Sequence, residues 1–158
     1  MKKQAKIGLV LAVCIVVVAV IAAVFFRARP MLDPAETPQI RSISVTYENG
    51  GETYDCDIFQ EDIPQELNDD LVDLFQGAEM RNTLFPPSMV YTVQPDSVYI
   101  GVWVGLDEGS MRVNLSTNSD YTSAQFGDTH YAIVDGQGLY QKVYDLVSPL
   151  LAEYAHKR

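Results

Sequence analysis

A histidine close to a carboxylate is the first group in this chain that could take part in catalysis. His130 follows Asp128 and Thr129 in the stretch "FGDTHYAIVD". A carboxylate can orient an imidazole and stabilise its charged form, which is part of the machinery of a general base. The chain has no G-x-S-x-G nucleophile motif to accompany it. A hydrolase using His130 is therefore the less favoured function, and the simpler interpretation is a histidine at the end of a loop.

A cysteine between two aspartates is the second chemically notable cluster. In "TYDCDIF", Cys56 alternates with Asp55 and Asp57, so a strand would point the thiol inward and both carboxylates outward. Two carboxylates on one face could bind a cation weakly, but Gln60 stands where a calcium loop needs glycine. Two histidines and one cysteine in the domain are too few to indicate a zinc site. The sequence predicts a buried thiol and neither metal nor cofactor.

The best indication of a binding surface is the single tryptophan, in "IGVWVGLDEGSMRVNLS". On a strand, two glycines share its face and a row of valines and isoleucine takes the other. Tryptophan, tyrosine and arginine are enriched at binding hot spots, and the glycines leave room for a backbone or a sugar ring. The alternatives are that the ring packs over the glycines or beneath a following loop. The predicted binding residues are Tyr99, Gly101, Trp103, Gly105, Arg112 and Asn114.

The elements that must position these residues follow from alternation and helical periodicity. The pattern predicts the order β-β-α-β-β-β-α, with one helix over "EDIPQELNDDLVDLFQG" and another from Gly138 to the end, kinked at Pro149. Asp62 is the predicted helix cap and Pro64 fits a first turn. The segments "MRNTLFPPSM" and "TNSDYTSAQFGDT" are predicted to be loops. Two amphipathic helices on one face of an antiparallel sheet make an α+β two-layer sandwich with an open second face.

The first 26 residues are typical of a membrane anchor. The run from Ile7 to Phe26 has no charged residue, and a helix of that length is roughly 30 Å long, enough to cross a bilayer. The lysines before it favour a cytoplasmic N-terminus. The predicted organisation is a cytoplasmic stub (1–6), a transmembrane anchor (7–26), a linker (27–39) and an extracytoplasmic domain (40–158). A cleaved signal peptide and a lipoprotein signal at Cys14 are the alternatives.

Charge is divided sharply between the two parts of the chain. All 21 acidic residues lie beyond residue 32, together with six of the 11 basic residues, so the chain beyond residue 32 has a formal charge of −15. A domain of that charge repels phosphate backbones, and nucleic-acid binding is not expected.

Three stretches resemble a loose set of uncharacterised membrane-anchored proteins of Firmicutes. They are "KKQAKIGLVLAVCIVVVAVIAAVFF", "IRSISVTYENGGETY" and "HYAIVDGQGLYQKVYDLVSPLL". The resemblance implies a single-pass cell-membrane protein of a Gram-positive bacterium with a small domain outside, and it supplies no catalytic residues. We therefore expect a non-enzymatic domain that binds another envelope protein or a ligand. An accessory subunit of a larger membrane complex is the second hypothesis.

Overall fold

The predicted class, α+β with an antiparallel sheet, is confirmed. The computed structural model describes residues 2–84, 96–118 and 121–157, without the side chains of 2–9 and 157. Nine strands form one antiparallel sheet in the order β1-β4-β8-β7-β6-β5-β2-β3-β9. The strands are β1 Arg29–Pro30, β2 Gln39–Asn49, β3 Glu52–Phe59, β4 Glu79–Asn82, β5 Val98–Leu106, β6 Gly109–Ser116, β7 Ser123–Phe126, β8 Thr129–Ile133 and β9 Ala155–Lys157.

Two amphipathic helices cover one face of this sheet. Helix α2 spans Gln65–Gln76 and helix α3 spans Gly136–Val147. One buried cluster contains the apolar stripes of both helices and the inward residues of the central strands. Apolar residues spaced by 3.6 on a helix or by 2 on a strand all point to one side of the element. We call the sheet face opposite these helices the outer face.

The alternation in β5 places its side chains as the sequence predicts. Val102 and Val104 are fully buried against the helices, whereas Trp103 between them is 45 % exposed on the outer face. Cys56 is also buried as predicted, on the inward side of β3.

The two segments predicted as loops contain strands. Residues 123–126 form β7, which pairs with β6 and turns back into β8 through Gly127, whose φ is +53°. Residues 80–82 belong to β4, which pairs with β8. Both strands are four residues long, and so short an element takes its stability from its neighbours and leaves little local pattern. Residues 85–89 of the predicted loop lie outside the described residues.

The helix ends also differ from the prediction. Asp62 lies in a separate 3-10 turn, Gln60–Asp62, and Pro64 is the residue that precedes α2, with no side-chain cap. The predicted C-terminal helix ends at Val147. A 3-10 turn containing Pro149 and the short helix α4, Leu151–Tyr154, follow it, and the chain then extends as β9 along β3.

The segment predicted as a linker is partly built into the domain. Arg29 and Pro30 form β1 at the edge of the sheet, and Met31 and Leu32 are each 1 % exposed. Helix α1, Lys2–Phe25, ends against the same edge, where the Asn82 side-chain amide donates a 2.7 Å hydrogen bond to the Phe25 carbonyl. Within the described ranges, no helix is both long enough and apolar enough to cross a membrane.

Candidate binding surface

One cross-strand row on the outer face joins the exposed aromatic residues to the polar ones. Trp103 on β5 is opposite Ser42 on β2, and Ser42 is opposite Phe59 on β3. In the other direction Trp103 is opposite Arg112 on β6. Neighbouring strands are about 4.8 Å apart, so the tryptophan and the phenylalanine stand roughly 10 Å apart with only a serine between them.

Both rings of this row are open to solvent. Phe59 is 56 % exposed and Trp103 is 45 % exposed, which is far above the core residues of the same strands. Apolar side chains of this size are normally withdrawn from water, and when they cluster at a surface they mark interaction sites. The row therefore has the composition of a binding surface.

The two glycines beside Trp103 make room for arginine side chains. A Cβ built on Gly101 would stand 3.6 Å from an Arg112 guanidinium nitrogen and 2.8 Å from Ser44 Oγ. A Cβ built on Gly105 would collide with the Arg41 side chain. A larger residue at Gly105 would displace Arg41, whereas at Gly101 the close contact is with Ser44 and the Arg112 side chain lies at ordinary van der Waals distance. The two arginines therefore lie over β5, on either side of the indole.

A β-bulge brings Arg41 to this surface. The pairing of β2 with β5 skips one residue between Ile40 and Ser42, and Arg41 is the extra residue. A bulge redirects the side chain of the inserted residue. The Arg41 guanidinium donates a 2.7 Å hydrogen bond from Nη1 to Oε1 of Gln60, directly after Phe59. We call Phe59, Trp103, Arg41 and Arg112 the aromatic–arginine patch.

A third arginine of the sheet also lies on the outer face. Arg81 on β4 is opposite Ala132 on β8. This pair continues the outward cross-strand row of β6 and β7 that is next to the row of Arg112. Among the described residues, the Arg112 guanidinium has no hydrogen-bond or ion-pair partner. The two guanidinium groups of the patch can pair with an anionic group of a partner, in a chain whose formal charge beyond residue 32 is −15.

Three of the predicted binding residues are buried, and one of them is Gly105, which lies beneath the Arg41 side chain. Tyr99 is 8 % exposed and Asn114 is 4 % exposed. The ring of Tyr99 packs edge-to-face on Tyr121, with centroids 5.8 Å apart. Tyr121 therefore covers Tyr99 at this end of the outer face, while Trp103 stays open. Of the six predicted residues, Trp103 and Arg112 belong to the aromatic–arginine patch, and Gly101 and Gly105 lie on either side of Trp103 on the same strand.

Sequence reasoning missed two members of the patch. Phe59 could have been found, because it follows Asp55 and Asp57 at strand spacing and so shares their outward face. Arg41 could not, since nothing in "QIRSIS" signals a bulge, which depends on how β2 pairs with β5.

The groups considered for catalysis or metal binding lie on different strands of the sheet, His130 on β8 and Asp55 on β3. His130 lies on the outer face opposite Gln125, and its Nδ1 is buried with no hydrogen-bond partner among the described residues. Asp55 accepts a 2.8 Å hydrogen bond from Thr46 Oγ1. Across the described ranges, no three His, Cys, Asp or Glu side chains are grouped to hold a metal ion.

Cys56 is predicted to be chemically inert in the folded protein. Burial raises the pKa of its thiol, and the nearby Asp57 adds to the rise, so little thiolate forms near pH 8. In a Cys14→Ser background, we expect iodoacetamide at pH 8 to modify Cys56 at least about a hundredfold more slowly than in 8 M urea, because the reaction needs opening of the core. Mass spectrometry measures both rates. Equal rates would show that β3 is not packed beneath the helices.

Comparison of the chain with protein-family models, with curated proteins and with solved structures gives no match. The resemblance to membrane-anchored proteins of Firmicutes therefore stays a prediction from the sequence.

Proposed function

We propose that the chain is a single-pass membrane protein whose extracytoplasmic domain binds a partner through the aromatic–arginine patch. The observation that carries this proposal is the pairing of two solvent-exposed rings with two arginines on a sheet face that the helices leave uncovered. Aromatic and arginine side chains combine a large apolar area with directional hydrogen bonding, which is the composition of binding hot spots. The partner is another envelope protein or a ligand with negative charge.

The membrane anchor in this proposal is the segment 7–26, whose first side chains lie outside the described residues, with residues 1–6 in the cytoplasm and the domain outside. Along residues 10–25 the side chains are apolar and mostly exposed, with Val18 at 65 % and Val24 at 71 %. Such a surface is unfavourable in water and favourable in lipid. The rings of Phe25 and Phe26 pack edge-to-face at its C-terminal end, with centroids 5.0 Å apart, just before Arg27, and aromatic residues are typical of the membrane interface.

Replacing Trp103 by alanine is expected to abolish partner capture without unfolding the domain. We expect a loss of stability of about 1 kcal/mol, since the ring is half exposed, and at least a tenfold loss of capture, of about the size that removing a hot-spot residue causes. The measurement is crosslinking in native membranes followed by pull-down, with circular dichroism to check folding.

Val134→Ala is the matched control, because Val134 is 47 % exposed and lies outside the patch. The proposal predicts that this variant and the parent capture the same partner while folded Trp103→Ala does not. If all three capture the same set, or none captures anything, the patch is not a binding surface. Unfolding of Trp103→Ala at 37 °C would instead make the tryptophan part of the core.

A further inference from the structure

The side of the domain opposite the patch carries an acidic groove. It is a shallow, largely open depression of about 440 Å³ between α2 and α3 on the solvent side of the helical layer. The leucines at its base are half-buried, and the carboxylates at its rim are exposed. Its lining is Asp70, Asp73, Leu74, Lys142, Asp145 and Leu146.

The acidic groove and the aromatic–arginine patch are complementary in chemistry. The patch presents an indole between two guanidinium groups, and the groove presents an apolar floor between carboxylates. Arginine and carboxylate pair with two parallel hydrogen bonds when their planes align. Each surface also has one residue of the opposite charge, and these two could pair with each other. Asp57 lies beside Phe59 on the outer face, and Lys142 lies in the groove.

Because the two surfaces lie on opposite faces of one chain, no chain can bring its own patch and groove together. We infer that the partner of the patch is a second copy of this chain, which receives Trp103 in its acidic groove. This inference rests on the proposed function and names its partner. A contact between two different surfaces is heterologous, so it leaves a free patch at one end and a free groove at the other, and it continues from chain to chain into a row.

The attachment of α1 suits a row of this kind. The helix ends at the β1–β4 edge of the sheet, where Asn82 bonds to Phe25. When that edge faces the bilayer, the outer face and the helical layer point in opposite directions parallel to the membrane plane. Copies held in one membrane can then stack face to back while every α1 stays in the lipid.

The contact is expected to be weak between chains that are free in solution and to form when the chains are held in one membrane. A tryptophan buries about 150–250 Å², and a stable interface needs about 800 Å² from each partner. Confinement to one membrane raises the effective concentration and compensates for a small contact. Charge pairing at the surface also makes the contact sensitive to salt, which shortens the range of the attraction to about 8 Å at physiological ionic strength.

The test uses the full chain in lipid vesicles, with Cys14→Ser to remove the exposed native thiol. Ser110→Cys places a thiol on the outer face beside Arg112, and Gln141→Cys places one on α3, one turn from Asp145. With a short bismaleimide, chains carrying both cysteines are expected to give a ladder of dimers, trimers and longer products. Chains carrying either cysteine alone are expected to give at least about tenfold less product, because like surfaces do not meet.

Charge reversal identifies the surfaces. In this two-cysteine background, one variant carries Arg41→Glu and Arg112→Glu, and the other carries Asp70→Lys and Asp73→Lys. Each alone is expected to lose the ladder at least about tenfold, since like charges then face each other. A mixture of the two is expected to restore it, because each reversed surface meets an opposite charge on the other variant. Circular dichroism confirms that both variants are folded.

Other outcomes overturn the inference. A ladder that persists in both unmixed variants would place the contact in α1, and products that stop at dimers would make it symmetric. Absence of any ladder excludes self-association. The proposed function is judged separately by the native-membrane pull-down: if Trp103→Ala loses a different partner there, the patch binds but this choice of partner is wrong, and if nothing is lost, both proposals fail.

Discussion

Replacing Phe75 by alanine is expected to lower the free energy of unfolding by about 3–5 kcal/mol. Phe75 is the largest fully buried side chain of the described core and lies in the last turn of α2. Its loss removes the apolar contacts of a whole ring and leaves a cavity that the sheet beneath cannot close, because β-strands held on both sides by hydrogen bonds cannot shift inward. Chemical denaturation followed by circular dichroism measures the change.

Phe59→Ala is the matched control, because it removes the same side chain at a position that is 56 % exposed. We expect this second variant to lose no more than about 1 kcal/mol. A domain of this size loses about 2–8 °C of melting temperature for each kcal/mol, so the two variants are well separated in a thermal melt. Equal losses would contradict the packing of α2 on the sheet.

Tyr140→Phe is expected to extend the stability of the domain into alkaline solution. Burial raises the pKa of Tyr140 from 10.0 to about 12, and the neighbouring Tyr144 and Asp145 add to the effect. Between pH 10 and 12 the unfolded chain has lost this proton and the native chain still holds it. Stability from this group is therefore complete below pH 10 and is lost as the pH rises towards 12.

The measurement is the free energy of unfolding in urea at pH 8, 10 and 11 for the parent and Tyr140→Phe. The two proteins should fall in parallel up to about pH 10 and diverge above it, with the phenylalanine variant losing less. The ring stack of Tyr140 on Tyr144, with centroids 5.9 Å apart, is kept by phenylalanine. Parallel curves up to pH 11 would show that the phenol is not withdrawn from water. Tyr47, whose pKa is also raised by burial, remains in both proteins.

The sequence by itself determined the class of the fold and the two faces of its central strand. The alternation in β5 assigns Val102 inward and Trp103 outward because strand side chains point to opposite faces in turn. The stripe of α2 assigns Leu71 and Phe75 to the core in the same way. These assignments are local, since each depends only on the spacing of apolar residues within one element, and the structure confirms them.

Only the tertiary structure decided what surrounds Trp103. The bulge at Arg41 and the strands β7 and β9 arise from pairing with distant partners, whose hydrogen bonds leave no mark on the local pattern. The glycines at 101 and 105 are visible in the sequence. The arginines that lie on them are not, because they come from neighbouring strands whose register is set by the packing of the whole sheet.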